Sequence, residues 1–93
     1  MIALEVLRNG DKLCTAGLRG GHVLTVILQS VLRSGRGQEI GIDVGGLSSE
    51  TRMHHRWAEH LPLKVGDEIR VRIVDTDEID LPTRTYSAES SGE

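Results

Sequence analysis

The stretch 51–60, TRMHHRWAEH, contains three of the chain's four histidines and its only tryptophan. A zinc site needs ligand atoms that converge on one ion, so the local backbone decides what these side chains can do together. In a strand, His54 and His55 point to opposite faces, and Trp57 shares the face of His55. In a helix, His55 and Glu59 lie one turn apart on the same face.

Neither of the familiar zinc-peptidase spacings fits this stretch. Glu59 and His60 match the end of the pattern H-x-x-E-H, but Arg56 stands where the pattern requires its first histidine. The pattern H-E-x-x-H is also absent from the chain. We therefore expect no metal and no other cofactor. The alternative is a metal-binding protein that uses the region 54–60, with His55 and His60 as candidate ligands.

The sequence shows no other catalytic motif. Neither G-x-S-x-G nor a Walker-type phosphate loop is present. The acidic run 75–80, DTDEID, fails the EF-hand pattern because Ile79 stands at an oxygen position and Asp80 at the glycine position. The single cysteine, Cys14, is expected on the Glu5 face of a strand, where a carboxylate would raise the pKa of the thiol. We predict that the protein is not an enzyme.

Composition places the chain among soluble, single-domain proteins. Its 93 residues are 38% hydrophobic and 27% charged. Acidic residues outnumber basic ones by 14 to 11, which counts against a nucleic-acid binder. The first residues lack the basic start of a signal peptide, and the longest apolar run, 23–32, is too short to span a bilayer. We expect a cytoplasmic protein with no membrane contact.

The first sixteen residues predict a β-hairpin. Apolar and polar positions alternate on both sides of an Asn-Gly pair, which favours a two-residue turn because both positions adopt positive φ. Such a turn fixes the register, with Arg8 opposite Asp11 and Val6 opposite Leu13.

The segment 23–33 is ambiguous. At a period of two, Leu24, Val26 and Leu28 share a face, and the many β-branched residues favour a strand. At a helical period, Thr25 and Gln29 fall on one polar stripe. We predict a strand and keep a helix at 23–33 as the alternative.

Further strands are predicted at 39–47 and 68–75, where apolar residues alternate with polar ones. The fold class is therefore mainly β, a small antiparallel barrel or sandwich of about six strands. The alternative is an α+β domain with the 23–33 helix packed on an antiparallel sheet. Residues 1–82 form one globular domain, and the polar segment 83–93 is expected to be a disordered tail.

We predict a small, non-catalytic protein-interaction module that associates with itself as a homodimer or binds another protein. A small domain has a small core, and association buries additional apolar surface. Tryptophan and arginine are typical anchors of interfaces. The candidate interaction residues are Met53, Arg56 and Trp57, followed by Arg70 and Arg72.

An oligonucleotide-binding small β-barrel is the alternative function. Arg70 and Arg72 share a strand face, and Arg52 and Arg56 share one if 51–58 is a strand. If these strands are neighbours, the arginines form one basic patch. The Val-Gly-Asp turn within 63–74 resembles a turn of small oligonucleotide-binding barrels. Such barrels stack bases on aromatic side chains, however, and this chain has one tryptophan and one tyrosine.

Overall fold

The structure is a computed structural model that describes residues 1–87, and it consists of two antiparallel sheets without a helix in that range. The strands are β1 (Ile2–Arg8), β2 (Asp11–Ala16), β3 (His22–Arg33), β4 (Gly37–Ser48), β5 (Met53–Pro62), β6 (Ile69–Asp75) and β7 (Arg84–Ser87). One sheet has the order β2-β1-β6 and the other the order β3-β4-β5-β7. The prediction of a mainly β fold is confirmed, and the sheets are not closed into a barrel.

The segment 23–33 lies in a strand, so the helix alternative for it was wrong. β3 pairs with β4 along its whole length, from His22 opposite Ser48 to Arg33 opposite Gly37. The β-branched residues of this segment fit a pleated strand better than a helix. The polar stripe that suggested a helix has no structural counterpart.

One small core joins the two sheets. The first sheet contributes Val6, Cys14 and Ala16, and the second contributes Ile42, Val44 and Trp57. Within residues 1–87, the largest fully buried side chains are Ile42, Val6 and Val44. A core of this size stabilises a fold only modestly, because burial of apolar surface is the main favourable term.

The first hairpin turns at the predicted place. Asn9 and Gly10 have φ values of 53° and 86°, as a two-residue hairpin turn requires. Arg8 lies opposite Asp11, which confirms this pair of the predicted register.

The rest of the predicted register is wrong by one residue. A β-bulge between Val6 and Leu7 places Val6 opposite Cys14 instead of Leu13. Cys14 therefore lies on the core side and not on the Glu5 face. Burial, more than any neighbouring carboxylate, raises the pKa of its thiol to about 11.

The disordered tail was predicted to begin at residue 83, but the described chain remains ordered through Ser87. Residues Arg84–Ser87 form β7, which pairs with β5. Backbone hydrogen bonds to a sheet edge do not require apolar side chains, and Tyr86 also stacks on His54, with 4.9 Å between ring centroids. Residues 88–93 of the predicted tail lie outside the described residues.

Each sheet leaves two edge strands: β2 and β6 in the first sheet, and β3 and β7 in the second. β3 is the longest of the four, with 12 residues against 6 for β2, 7 for β6 and 4 for β7. Residues 1–87 contain no helix long and apolar enough to cross a membrane.

Candidate functional site

β5 separates the adjacent histidines, as a strand at 51–60 predicts. His55 lies on the core side, where its ring is tilted against Trp57 at 6.3 Å between centroids. Its Nδ1 lies 3.2 Å from the hydroxyl of Thr85. His54 lies on the outer face and stacks on Tyr86. The two neighbours therefore cannot bind one ion.

His55 and His60 do not converge either. His60 adopts a positive φ of 48°, and its Nε2 lies 3.7 Å from Oε1 of Glu39. Its backbone N–H donates to Asp43 at 2.8 Å. Glu39 and Asp43 belong to the outer face, whereas His55 faces the core. Within residues 1–87, no group of three or more His, Cys, Asp or Glu side chains is arranged to hold a metal ion.

Trp57 is part of the core rather than an exposed anchor. Its side chain is 6% exposed, and its Nε1 donates to the carbonyl of Asp80 at 2.8 Å. This bond ties the segment after β6 to the second sheet. Met53 is half-buried opposite Ser87 of β7. Trp57 can therefore influence an interface only through the position of β5, whereas Met53 keeps part of its surface exposed.

The predicted basic patch is not formed, because β5 and β6 belong to different sheets. Arg70 and Arg72 lie on β6 in the three-stranded sheet, while Arg56 lies on β5. Arg72 also pairs with the carboxylate of Glu5 at 3.3 Å on the adjacent strand.

β7 instead brings Arg84 and Tyr86 next to β5, a pairing that the sequence pattern does not indicate. Arg84 donates to both carboxylate oxygens of Glu59, with Nη2 2.6 Å from Oε1 and Nε 2.9 Å from Oε2. These bonds hold the pKa of Glu59 below its ordinary value. The guanidinium also lies over the Tyr86 ring, 4.4 Å from its centroid.

The Arg56 side chain lies over Gly45 of β4, in space that a larger residue at position 45 would fill. Its Nη2 donates to the Tyr86 hydroxyl at 3.3 Å. Opposite it on β4, a Cβ added at Gly45 would lie 3.0 Å from Nη1 of Arg56 and 3.1 Å from the carbonyl oxygen of His55. The missing side chain at Gly45 therefore lets Arg56 reach across the outer face towards β3.

β3 exposes apolar side chains on both of its faces. On the outer face, Val23 is 59% and Ile27 is 44% exposed. On the core side, Leu28 is 60% and Leu32 is 72% exposed, although Leu28 lies opposite the buried Ile42. The first sheet therefore covers only part of the core side of β3.

The other three edges carry charged residues, which discourage pairing with another strand. β2 contains Asp11 and Lys12, β6 contains Arg70, Arg72 and Asp75, and β7 contains Arg84. β3 has no charged residue between His22 and Arg33. It is therefore the edge best suited to bind another strand.

Comparisons with protein-family models, curated proteins and solved structures gave no match.

Proposed function

We propose that the protein is a non-catalytic protein-interaction module that associates with itself through the edge of β3. The observation that carries this proposal is a 12-residue edge strand with exposed apolar side chains on both faces and no charge in its interior. The partner is a second copy of the chain, and the product is a homodimer.

The backbone of β3 supplies the first part of the interaction. An edge strand presents a row of backbone N–H and C=O groups that lack strand partners on one side. In residues 1–87, β3 pairs only with β4. Pairing with a second β3 would satisfy this row and would join two four-stranded sheets into one continuous sheet.

Two-fold symmetry makes a second copy a suitable partner. An antiparallel pair of identical strands is related by a two-fold axis perpendicular to the sheet, the commonest symmetry of homo-oligomers. Each face of one copy then continues into the same face of the other. With the axis at Leu28, Leu24 of each copy lies opposite Leu32 of the second copy. On the core side, Leu28 meets Leu28 and Leu24 meets Leu32 of the second copy, while Val26 lies opposite Ser30.

The side chains supply the second part. On the core side, Leu28 is 60% and Leu32 is 72% exposed in the isolated chain. Burying the exposed part of one such side chain yields about 1–2 kcal/mol, so the four in a dimer yield roughly 4–8 kcal/mol before the entropic cost of association. That cost is about 4–15 kcal/mol, so we expect a dimer of moderate affinity whose backbone pairing decides its stability.

The alternative functions have less support. Of the arginines considered for a basic patch, Arg56 lies on β5 and Arg70 and Arg72 lie on β6 of the other sheet, while Arg52 precedes β5. Trp57 is buried, and Tyr86 already stacks against His54 and Arg84, so no free aromatic platform for bases exists in residues 1–87. His55 and His60 face different sides of β5. We also propose a cytoplasmic location, where the lone buried cysteine stays reduced.

Light scattering over a range of protein concentrations tests the proposal. The chain mass is 10.2 kDa, and the proposal expects a mass that approaches twice this value as the concentration rises. Ser30→Pro serves as an edge variant, because Ser30 is exposed, its N–H points away from β4 in this register, and proline removes that donor from the free edge. A wild-type protein that stays at the monomer mass into the millimolar range would overturn the proposal. An oligonucleotide that binds at low salt and dissociates at high salt would support the alternative instead.

A further inference from the structure

The outer face of the second sheet contains a cleft that borders the edge strand β3. Two cross-strand rows define it. One row runs Val23, Leu47, His54 and Tyr86 across the four strands, and the next runs Thr25, Gly45, Arg56 and Arg84. The cleft has a volume of about 290 Å³, and the residues that line it are Val23, Thr25, Ile27, Gly46, Leu47, His54 and Arg56.

We propose that this cleft binds an acidic side chain of a partner protein, together with an aliphatic side chain next to it in the partner's sequence. The inference does not rest on the self-association, because its evidence is the charge and the side chains of the sheet face and not the unpaired backbone of the edge. In a two-fold dimer, the two clefts would lie on the same side of the joined sheet.

The charge of Arg56 argues for an acidic ligand. Of the two arginines in this part of the sheet, Arg84 is already paired with Glu59 through two-point contact. Within residues 1–87, no carboxylate oxygen lies within 4.0 Å of the Arg56 guanidinium. The guanidinium donates to the hydroxyl of Tyr86. Its charge also contributes to the lowered pKa of Glu59, but the carboxylate of Glu59 is bonded to Arg84. A guanidinium with donors to spare binds a carboxylate through paired hydrogen bonds.

The surroundings hold Arg56 in place for this purpose. Tyr86 fixes one end of the guanidinium, and Tyr86 itself is held between the stacked ring of His54 and the cation of Arg84. The open space above Gly45 lets the Arg56 side chain lie flat across β4. A side chain that is ordered before binding loses less conformational entropy when the ligand arrives.

The walls of the cleft argue for an aliphatic neighbour and a protein partner. Val23, Ile27 and Leu47 form an apolar side, and Val23 and Ile27 remain largely exposed. A cleft of this volume falls at the lower limit of the ~300–1,000 Å³ typical of pockets that enclose a free small molecule. It is open to solvent, so it suits two side chains presented by a larger partner better than a free acid.

NMR titration with short peptides tests this inference. The probes are the capped dipeptides acetyl-Leu-Glu-amide and acetyl-Leu-Gln-amide, which differ only in charge and one polar group. We expect the Glu peptide to shift the backbone amides of Gly45, His54 and Arg56, and to bind about tenfold more tightly than the Gln peptide. In Arg56→Gln this preference should disappear, while Arg36→Gln, which removes an exposed arginine of the β3–β4 turn, should retain it.

Val23→Asp provides a second variant in case Arg56→Gln unfolds. It leaves Arg56 and Tyr86 intact but places a carboxylate in the wall of the cleft, so it should also abolish binding of the Glu peptide. The proposal is overturned if neither peptide binds, if both bind equally, or if the preference for Glu persists in the folded variants. Equal or tighter binding of free 3-methylbutanoate would also overturn it, because the site would then serve a small acid. Retained binding in monomeric Leu28→Glu separates this result from the fate of the dimer.

Discussion

Replacing Leu28 with glutamate should weaken self-association strongly and folding only slightly. Leu28 is 60% exposed in the isolated chain, so pairing of two β3 strands would bury most of that surface. Complete burial of a leucine contributes about 1.5–3 kcal/mol, and 60% of this is about 1–2 kcal/mol for each copy. Two-fold symmetry repeats the loss in the second copy, for a total of about 2–4 kcal/mol.

This loss corresponds to a Kd that is about 30- to 1,000-fold higher. Two carboxylates close to the two-fold axis repel each other, so the true effect should lie towards the upper end. The isolated chain should lose only about 1 kcal/mol of folding stability, because less than half of the leucine side chain is buried before association.

Sedimentation equilibrium of wild type and Leu28→Glu measures the two dissociation constants, and circular dichroism checks that the variant is folded. Leu81→Glu is the matched control, since Leu81 is 88% exposed and lies outside every edge strand. Its Kd should equal that of wild type. A folded Leu28→Glu protein that associates within threefold of wild type would refute the assignment of the interface to β3, as would an equal effect of Leu81→Glu.

Three further predictions follow from the core and from the contact between β5 and β7. Trp57→Phe should lower the free energy of unfolding by roughly 1–3 kcal/mol in urea titrations, because it loses the bond to Asp80 and leaves a cavity; no change would contradict its core role. The pKa of the Cys14 thiol is raised to about 11, so the folded protein favours the neutral thiol. The contribution of the neutral thiol to folding stability is complete below about pH 9 and is lost as the pH rises through about 11. Over that pH range, the free energy of unfolding of wild type should therefore fall by roughly 2–3 kcal/mol relative to that of Cys14→Ala. If the unfolding free energies of the two proteins change in parallel with pH, the thiol is not buried. Glu59→Gln should accelerate hydrogen exchange of the β7 amides, since Arg84 loses its ion pair. NMR titration should give Glu59 a pKa below its ordinary value, so that the ion pair is lost only as the pH falls through that lowered pKa.

Local patterns in the sequence predict much of this fold. The Asn-Gly turn and the pairing of Arg8 with Asp11 depend only on backbone conformation near the turn. The separation of His54 from His55 follows from strand geometry alone. Each of these features involves residues close together in sequence, where steric rules leave few alternatives.

Features that depend on tertiary contacts were not predictable. The bulge between Val6 and Leu7 moves Cys14 into the core, although alternation along each strand gives no sign of it. β7 is polar, and it orders by pairing with β5 and by stacking Tyr86 on His54. Which strands are neighbours is also a tertiary property, so the sequence left open whether the arginines would cluster, and in the structure β5 and β6 lie in different sheets.

The ambiguity of β3 has a physical meaning. A strand with one buried face alternates cleanly between apolar and polar residues, but β3 carries apolar residues on both faces. That pattern obscured its period in the sequence. In the structure, the same pattern leaves Ile27 and Leu28 exposed on opposite faces of an edge strand, which is the basis of the proposed interface.

An isotope-filtered NOE experiment on a mixture of labelled and unlabelled chains detects contacts across the proposed β3–β3 interface. We expect intermolecular contacts between the backbone of β3 in one copy and the backbone of β3 in the other, with Leu24 near Leu32 of the second copy or a register close to it. Intermolecular contacts confined to β2, β6 or β7, or their absence at a concentration where the wild type sediments as a dimer, would contradict it.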